Sequence, residues 1–152
     1  KLLYARKEEI PDGEYVIPLG KADVKRPGGD VTILTWSRQV LFALEAAEAL
    51  AAEGIDAEVV DLRTLVPLDW ETVRASVCKT HNAVVVEEGV KRGGVGAELS
   101  AQITEELFDE LDSPVGRVAG MNVVSPFSPV LEDAQFPHPK DIVAGVKKTL
   151  GR

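Results

Sequence analysis

From Val31 onward, short apolar runs alternate with longer stretches of helical periodicity. Val31 to Trp36 is a β-branched apolar run of the kind that forms a buried strand. Arg38 to Glu53 places Val40, Leu41, Leu44, Ala47 and Leu50 on one face and stops at Gly54, predicting an amphipathic helix. Ala57 to Leu62 predicts a second strand, and Asp69, preceded by Leu68, the N-cap of a helix reaching about Lys79. Ala83 to Val86 predicts a third strand, Gly93 to Asp112 a long helix, and Val115 to Ala119 a fourth strand. Pro137 to Arg152 ends the chain as a helix, with Pro139 near its first position and Gly151 past its end. Short buried strands alternating with helices predict an α/β fold, a three-layer α/β/α domain with a mostly parallel sheet and right-handed crossovers.

Before Val31 the pattern fails. Pro11, Gly13, Pro18, Gly20, Pro27, Gly28 and Gly29 break any long element, so residues 1–29 read as an ordered linker and 30–152 as the domain. Tyr15-Val16-Ile17 is the expected edge strand of that linker, kept from a sheet centre by Pro18.

Composition narrows the function classes. The 152 residues suffice for one domain, with 45% hydrophobic and 28% charged residues. A net charge of −8 argues against nucleic acid and anionic membranes as partners. No apolar run approaches the roughly 20 residues that span a bilayer, and the N-terminus does not read as a signal peptide. Lys1 is not a start methionine, so the chain is expected to derive from a longer one. The single cysteine, Cys78, excludes an internal disulfide; it falls in a helical pattern with Trp70, Val73 and Val77, where a buried packing role is expected.

Candidate chemistry is sparse. In an open α/β sheet, ligands bind beyond the carboxyl ends of the strands. Those positions carry Ser37 and Arg38, then Arg63 and Thr64, then Glu87 and Glu88. Arg38, Arg63, Glu87 and Glu88 form a possible polar cluster, either binding a small ligand or pairing among themselves. Arg92-Gly-Gly-Val-Gly-Ala-Glu98 lies between strand and helix but matches neither the dinucleotide fingerprint nor a P-loop. A tight structural turn is the expectation, with Glu98 repelling any phosphate. The two histidines, His81 and His138, lack partners at metal-ligand spacing and read as surface or capping residues. No catalytic, cofactor-binding or metal-binding residue is assigned. On the long helix, Val95, Leu99, Ile103, Leu107 and Leu111 recur every four residues as a buried stripe. Glu98, Glu105, Asp109 and Asp112 lie opposite, flanked by Glu106 and Glu110. That acidic face is either solvated surface or a docking site for a basic module.

Several segments together resemble a known family. Val16-Ile-Pro-Leu-Gly-Lys-Ala-Asp-Val24 leading into Gly29-Asp-Val-Thr-Ile-Leu-Thr-Trp-Ser37 is similar to the linker and first strand of the transketolase-type C-terminal domain. Glu58-Val-Val-Asp-Leu-Arg-Thr-Leu-Val-Pro-Leu-Asp69 resembles its second strand and turn, and Val84-Val-Val-Glu-Glu-Gly89 with Gly93-Gly-Val-Gly-Ala-Glu98 its third strand and glycine turn. Arg117-Val-Ala-Gly120 and Pro126-Phe-Ser-Pro129 resemble the fourth strand and following loop. The Ile-Pro-Leu-Gly-Lys-Ala linker and short tail are most similar to β subunits of thiamine-diphosphate-dependent 2-oxoacid dehydrogenases of the pyruvate dehydrogenase type. Deoxyxylulose phosphate synthase, transketolase and a small-molecule-binding regulatory domain are the alternatives.

The resemblance implies an α₂β₂ enzyme that oxidatively decarboxylates a 2-oxoacid and acylates lipoyl groups with thiamine diphosphate and Mg. The cofactor-activating residues belong to another domain, so this chain alone is expected to bind neither group and to be inactive. The implied roles are β–β dimerisation, contact with the α subunit, and docking to the peripheral subunit-binding domain of the dihydrolipoyl acyltransferase. Glu98, Glu105, Asp109, Glu110 and Asp112 are the candidate docking residues. The implied compartment is bacterial cytoplasm or mitochondrial matrix.

Overall fold

The computed structural model describes residue 7 and residues 9–152. Five strands form one sheet in the order β1-β3-β2-β4-β5: β1 (Asp23–Arg26), β2 (Val31–Thr35), β3 (Ala57–Asp61), β4 (Ala83–Val90) and β5 (Gly116–Gly120). The helices are α1 (Gln39–Ala52), α2 (Trp70–Thr80), α3 (Val95–Leu107), α4 (Pro129–Gln135) and α5 (Pro139–Thr149). β2, β3, β4 and β5 pair in parallel, and β1 runs antiparallel to β3. The expected three-layer arrangement is therefore present.

Each layer follows from its side chains. All of β2 is buried, as a central parallel strand with helices on both faces requires. Ile33 and Val59 point to the side where Ala43, Ala46, Ala47 and Leu50 of α1 meet Ile142 and Val146 of α5. Leu34, Val60 and Val85 point to the other, against Val73 and Val77 of α2 and Leu99, Ile103 and Leu107 of α3. On α1 the buried stripe is set by alanines, which let the helix approach the sheet closely; Leu41 and Leu44 are only half-buried. Cys78 is likewise half-buried at the margin of the second core, not fully enclosed.

Several expectations are corrected. The edge strand is Asp23–Arg26, and Tyr15-Val16-Ile17 forms no strand; Tyr15, Val16 and Ile17 are exposed. The helix expected from Gly93 to Asp112 ends at Leu107, followed by a single 3₁₀ turn over Phe108–Glu110. Asp112 lies beyond both because its N–H is donated to the carbonyl of His81, pulling the chain toward the end of α2. Val95 is exposed, so the buried stripe of α3 is Leu99, Ile103 and Leu107. Finally, α5 starts at Pro139, and α4, in the preceding loop, had no sequence expectation.

Asp69 ties the stretch before β1 to the domain. Its carboxylate caps α2 by accepting from the N–H (3.3 Å) and hydroxyl (2.9 Å) of Thr72 and also accepts the N–H of Ala22 at 3.0 Å. Burial alone would raise its pKa, but the bonds from Ala22 and Thr72 outweigh burial and hold it below the ordinary carboxylate value. A depressed folded value means the stabilisation is fully present above the ordinary pKa of about 3.9 and is lost as pH falls through the lowered one. Asp69→Ala is expected to cost about 1–2 kcal/mol at neutral pH, the upper part of the range for a lost N-cap. Urea unfolding at several pH values checks this: the difference between wild type and variant should shrink on the acid side, and a constant difference would contradict the assignment.

Candidate functional site

The sheet order reverses between β2 and β4, where an α/β sheet opens a crevice at its carboxyl edge. Ser37 leaves β2 in the left-handed region (φ 55) and brings Arg38 to the start of α1. Arg38 pairs across the crevice with Glu88 of β4 at 2.7 Å. Its guanidinium lies 4.7 Å from the centre of the Phe136 ring and 5.5 Å from that of Phe42. His138 stacks on Phe42 at 5.8 Å, and buried Gln39 donates from Nε2 to the Pro137 carbonyl at 3.3 Å. The segment after α4 thus covers the crevice, and its two expected charges neutralise each other.

The other two members of the expected polar cluster lie elsewhere. Arg63, also left-handed (φ 55), pairs with Asp23 at 2.7 Å on the β1–β3 edge. A hydrogen bond from Lys25, opposed by partial burial and reinforced by the Lys25 and Arg63 charges, holds the Asp23 carboxyl below its usual range. Glu87 turns toward α3 and is only 3% exposed. It accepts from the N–H of Gly96 at 3.1 Å and pairs with Arg117 of β5 at 3.1 Å; Arg117 also donates to the Lys91 carbonyl at 2.7 Å.

This geometry settles what the glycine turn does. A Cβ at Gly94 would lie 2.6 Å from Glu87 Oε2, and one at Gly96 2.5 Å from Glu87 Oε1. The glycines therefore make room for a carboxylate of the same chain, which occupies the helix N-terminus where a phosphate would bind. The turn does not fit the diphosphate of a thiamine cofactor. Glu98, expected to repel a phosphate there, is exposed, and the blocking charge is Glu87. Among the described residues, no three His, Cys, Asp or Glu side chains converge as metal ligands, and no helix is long and apolar enough to cross a membrane.

The acidic surface has a definite shape. Glu98, Glu105 and Glu106 are exposed on α3, while Asp109, Glu110 and Asp112 are exposed on the turn and loop that follow. His81, the left-handed C-cap of α2 (φ 56), holds that turn: its Nδ1 is 2.8 Å from the Glu110 carbonyl, and its own carbonyl accepts from Asp112. Ser113 bonds Asn82 at 2.8 Å just beyond. Ser100, Thr104, Phe108, Leu111, Asp112 and Val115 line a groove of about 470 Å³ along this surface. Phe108, Leu111, Pro114 and Val115 give the groove apolar walls, and Asp112 is the one acidic residue in its lining, a combination that the spacing of carboxylates on an uninterrupted helix does not reveal.

Against known proteins, residues 20–142 match the family described as transketolase, C-terminal domain. The pyruvate dehydrogenase E1 component subunit beta of Porphyra purpurea is 49% identical over 96% of this chain and 44% of its own length. The mitochondrial pyruvate dehydrogenase E1 component subunit beta-1 of Arabidopsis thaliana is 47% identical over 100% of this chain and 43% of its own. The chain thus spans less than half the length of these relatives. Among solved structures, a split-gene transketolase described as an inactive β4 tetramer superposes with a TM-score of 0.80 at 32% identity, covering 95% of this chain and 46% of that one. Both the match over residues 20–142 and the superposition lead to one assignment: the chain belongs to the transketolase C-terminal domain family.

Proposed function

We propose that this chain is the assembly domain of the β subunit of a 2-oxoacid dehydrogenase, with pyruvate the favoured substrate of the whole enzyme. It would pair with a second β chain, contact an α subunit in an α₂β₂ tetramer, and dock the peripheral subunit-binding domain of the dihydrolipoyl acyltransferase. Residues 1–29 would link it to an upstream domain. Thiamine diphosphate and Mg would be held by other parts of that enzyme, which would decarboxylate the oxoacid and acylate lipoyl groups. The observation that carries this reading is the near-complete coverage of the chain by pyruvate dehydrogenase E1 β subunits at 46–49% identity. The β4 tetramer named for the split-gene transketolase supports self-association. For compartment we propose bacterial cytoplasm or mitochondrial matrix; the relatives include proteins named mitochondrial and chloroplastic.

The acidic surface supports the docking role. Exposed Glu98, Glu105, Asp109, Glu110 and Asp112 attract a basic module, while Phe108, 71% exposed above the groove, offers it an apolar anchor. The competing reading, a regulatory small-molecule site at the strand ends, finds Arg38 paired with Glu88 and Arg63 with Asp23.

Calorimetric titration with an isolated peripheral subunit-binding domain tests the docking role. Binding is expected to weaken between ionic strengths of about 0.01 M and about 0.15 M, as the Debye length shortens from about 30 Å to about 8 Å. Asp109→Lys or Asp112→Lys should weaken it about tenfold or more, since each puts a like charge against a basic partner. Absence of binding by a chain that sediments as a dimer would remove docking from the reading and leave pairing as the main role.

A further inference from the structure

On a chain of net charge −8, positive charge gathers at the β5 edge of the sheet. Lys91, Arg117 and Lys148 line one cavity of about 360 Å³ there, and no carboxylate is in its lining. Two contacts lock its walls together. Lys91, just past β4, donates its N–H to the Gly120 carbonyl at 3.1 Å, and its own carbonyl accepts from Arg117 Nη2 at 2.7 Å. α5 lies tight on β5: a Cβ at Gly116 would be 2.3 Å from Thr149 Oγ1, and one at Gly145 2.3 Å from Val118 Cγ2. Lys148, three residues after Gly145, shares its helix face and so lines the same cavity. These charges are only partly matched. Arg117 pairs with buried Glu87, yet its Nε is buried with no acceptor. Lys91 and Lys148 are exposed and form no ion pair among the described residues.

We infer that this cavity is an anion site for a phosphoryl group, free or carried by a small metabolite. The inference does not rest on the docking or pairing roles proposed above. A buried donor without an acceptor costs free energy until something accepts from it. Two unneutralised lysines beside it repel each other, which favours an acceptor of more than one charge. A phosphoryl group carries about −1.5 to −2 at neutral pH and three strong acceptor oxygens. That matches one guanidinium edge and two ammonium groups, whereas a lone carboxylate would leave one of the lysines unmatched. Pro114 and Val115 form an apolar wall beside the cations, where the organic part of a phosphate ester can rest.

Titration of the full chain with inorganic phosphate and with glycerol 3-phosphate, followed by amide chemical shifts at constant ionic strength, tests the site. Shifts of Lys91, Gly116, Arg117 and Lys148 are expected to saturate together, with a midpoint on the order of 1 mM. Lys91→Gln/Lys148→Gln should weaken binding at least about tenfold, as two charge-assisted contacts are lost. Lys21→Gln/Lys140→Gln removes the same charge at exposed positions outside the cavity and should leave the midpoint unchanged. Tighter binding of the ester than of free phosphate would support the site and assign it to a phosphorylated metabolite. Equal binding of the two would support it as a site for the free ion. Shifts that stay linear in concentration, or that saturate only at other amides, would overturn the site. Equal weakening by the two double variants would also overturn it, reducing the effect to attraction by net charge.

Discussion

Glu87→Ala is expected to cost about 3–5 kcal/mol of unfolding free energy, the range found when one partner of a buried ion pair is removed. Its carboxylate does three things at once: it neutralises Arg117, caps the N–H of Gly96, and fills the space left by Gly94 and Gly96. Without it, Arg117 keeps its bond to the Lys91 carbonyl but stays 18% exposed with no counter-charge, and Gly96 loses its acceptor. Glu87→Gln keeps the shape and one acceptor, so a smaller loss is expected. The double variant Glu87→Leu/Arg117→Leu should recover part of the difference, because it leaves no buried charge behind. Chemical denaturation of the three variants checks the order. Equal losses for Glu87→Ala and Glu87→Gln would mean that the charge, and not the space the side chain fills, carries the whole contribution.

Gly28→Ala is the second large effect, expected at about 3 kcal/mol and traceable to backbone rather than side chain. A Cβ there would sit 2.3 Å from the amide nitrogen of Glu58 and 2.4 Å from the carbonyl carbon of Ala57, where β3 begins. Neither atom can rotate away, so either the turn into β2 or the register of β3 must move. Gly29→Ala is the built-in control. Its nearest atom would be Asp56 Oδ2 at 3.8 Å, and its φ is not in the left-handed region, so near-neutral stability is expected. Thermal unfolding of the pair tests the collision: because Gly→Ala by itself lowers unfolded-chain entropy and favours the fold, comparable losses at the two positions would show that the contact with β3 does not set the cost.

These two residues also mark what was legible in the sequence. β2, β3, β4 and β5 were readable because a strand buried on both faces must be apolar at nearly every position, and Val31–Thr35 and Val84–Val86 are. α2 was readable through Asp69, whose capping bond is local in sequence. β1 was not. Asp-Val-Lys-Arg has no strand pattern of its own and is extended only because β3 offers it an antiparallel edge. The end of α3 was misplaced because Leu107 and Leu111 continue the four-residue spacing. The helix nonetheless stops there, since the bond from Asp112 to the carbonyl of His81 is set by a distant residue. Glu87 lies at a strand end and Arg117 inside a later strand, and no spacing in the sequence joins them. They meet because β4 and β5 are neighbours, with Val85 opposite Arg117 in the register. Of the acidic surface, the charges were visible; the groove beside them depends on the turn that ends α3.

The antiparallel strand β1 bears on where this domain can be cut. Strand edges present unpaired N–H and C=O groups to any chain that can extend the sheet. β1 seals the β3 edge, and it does so with charged residues, Asp23, Lys25 and Arg26, facing outward or into ion pairs. A fragment begun at Asp30, where the regular alternation starts, discards that seal and leaves Ala57–Asp61 bare. Such a fragment keeps both cores yet gains an aggregation-prone edge. One begun before Gly20 retains β1 along with the anchors from Gly20 to Thr64 and Ala22 to Asp69.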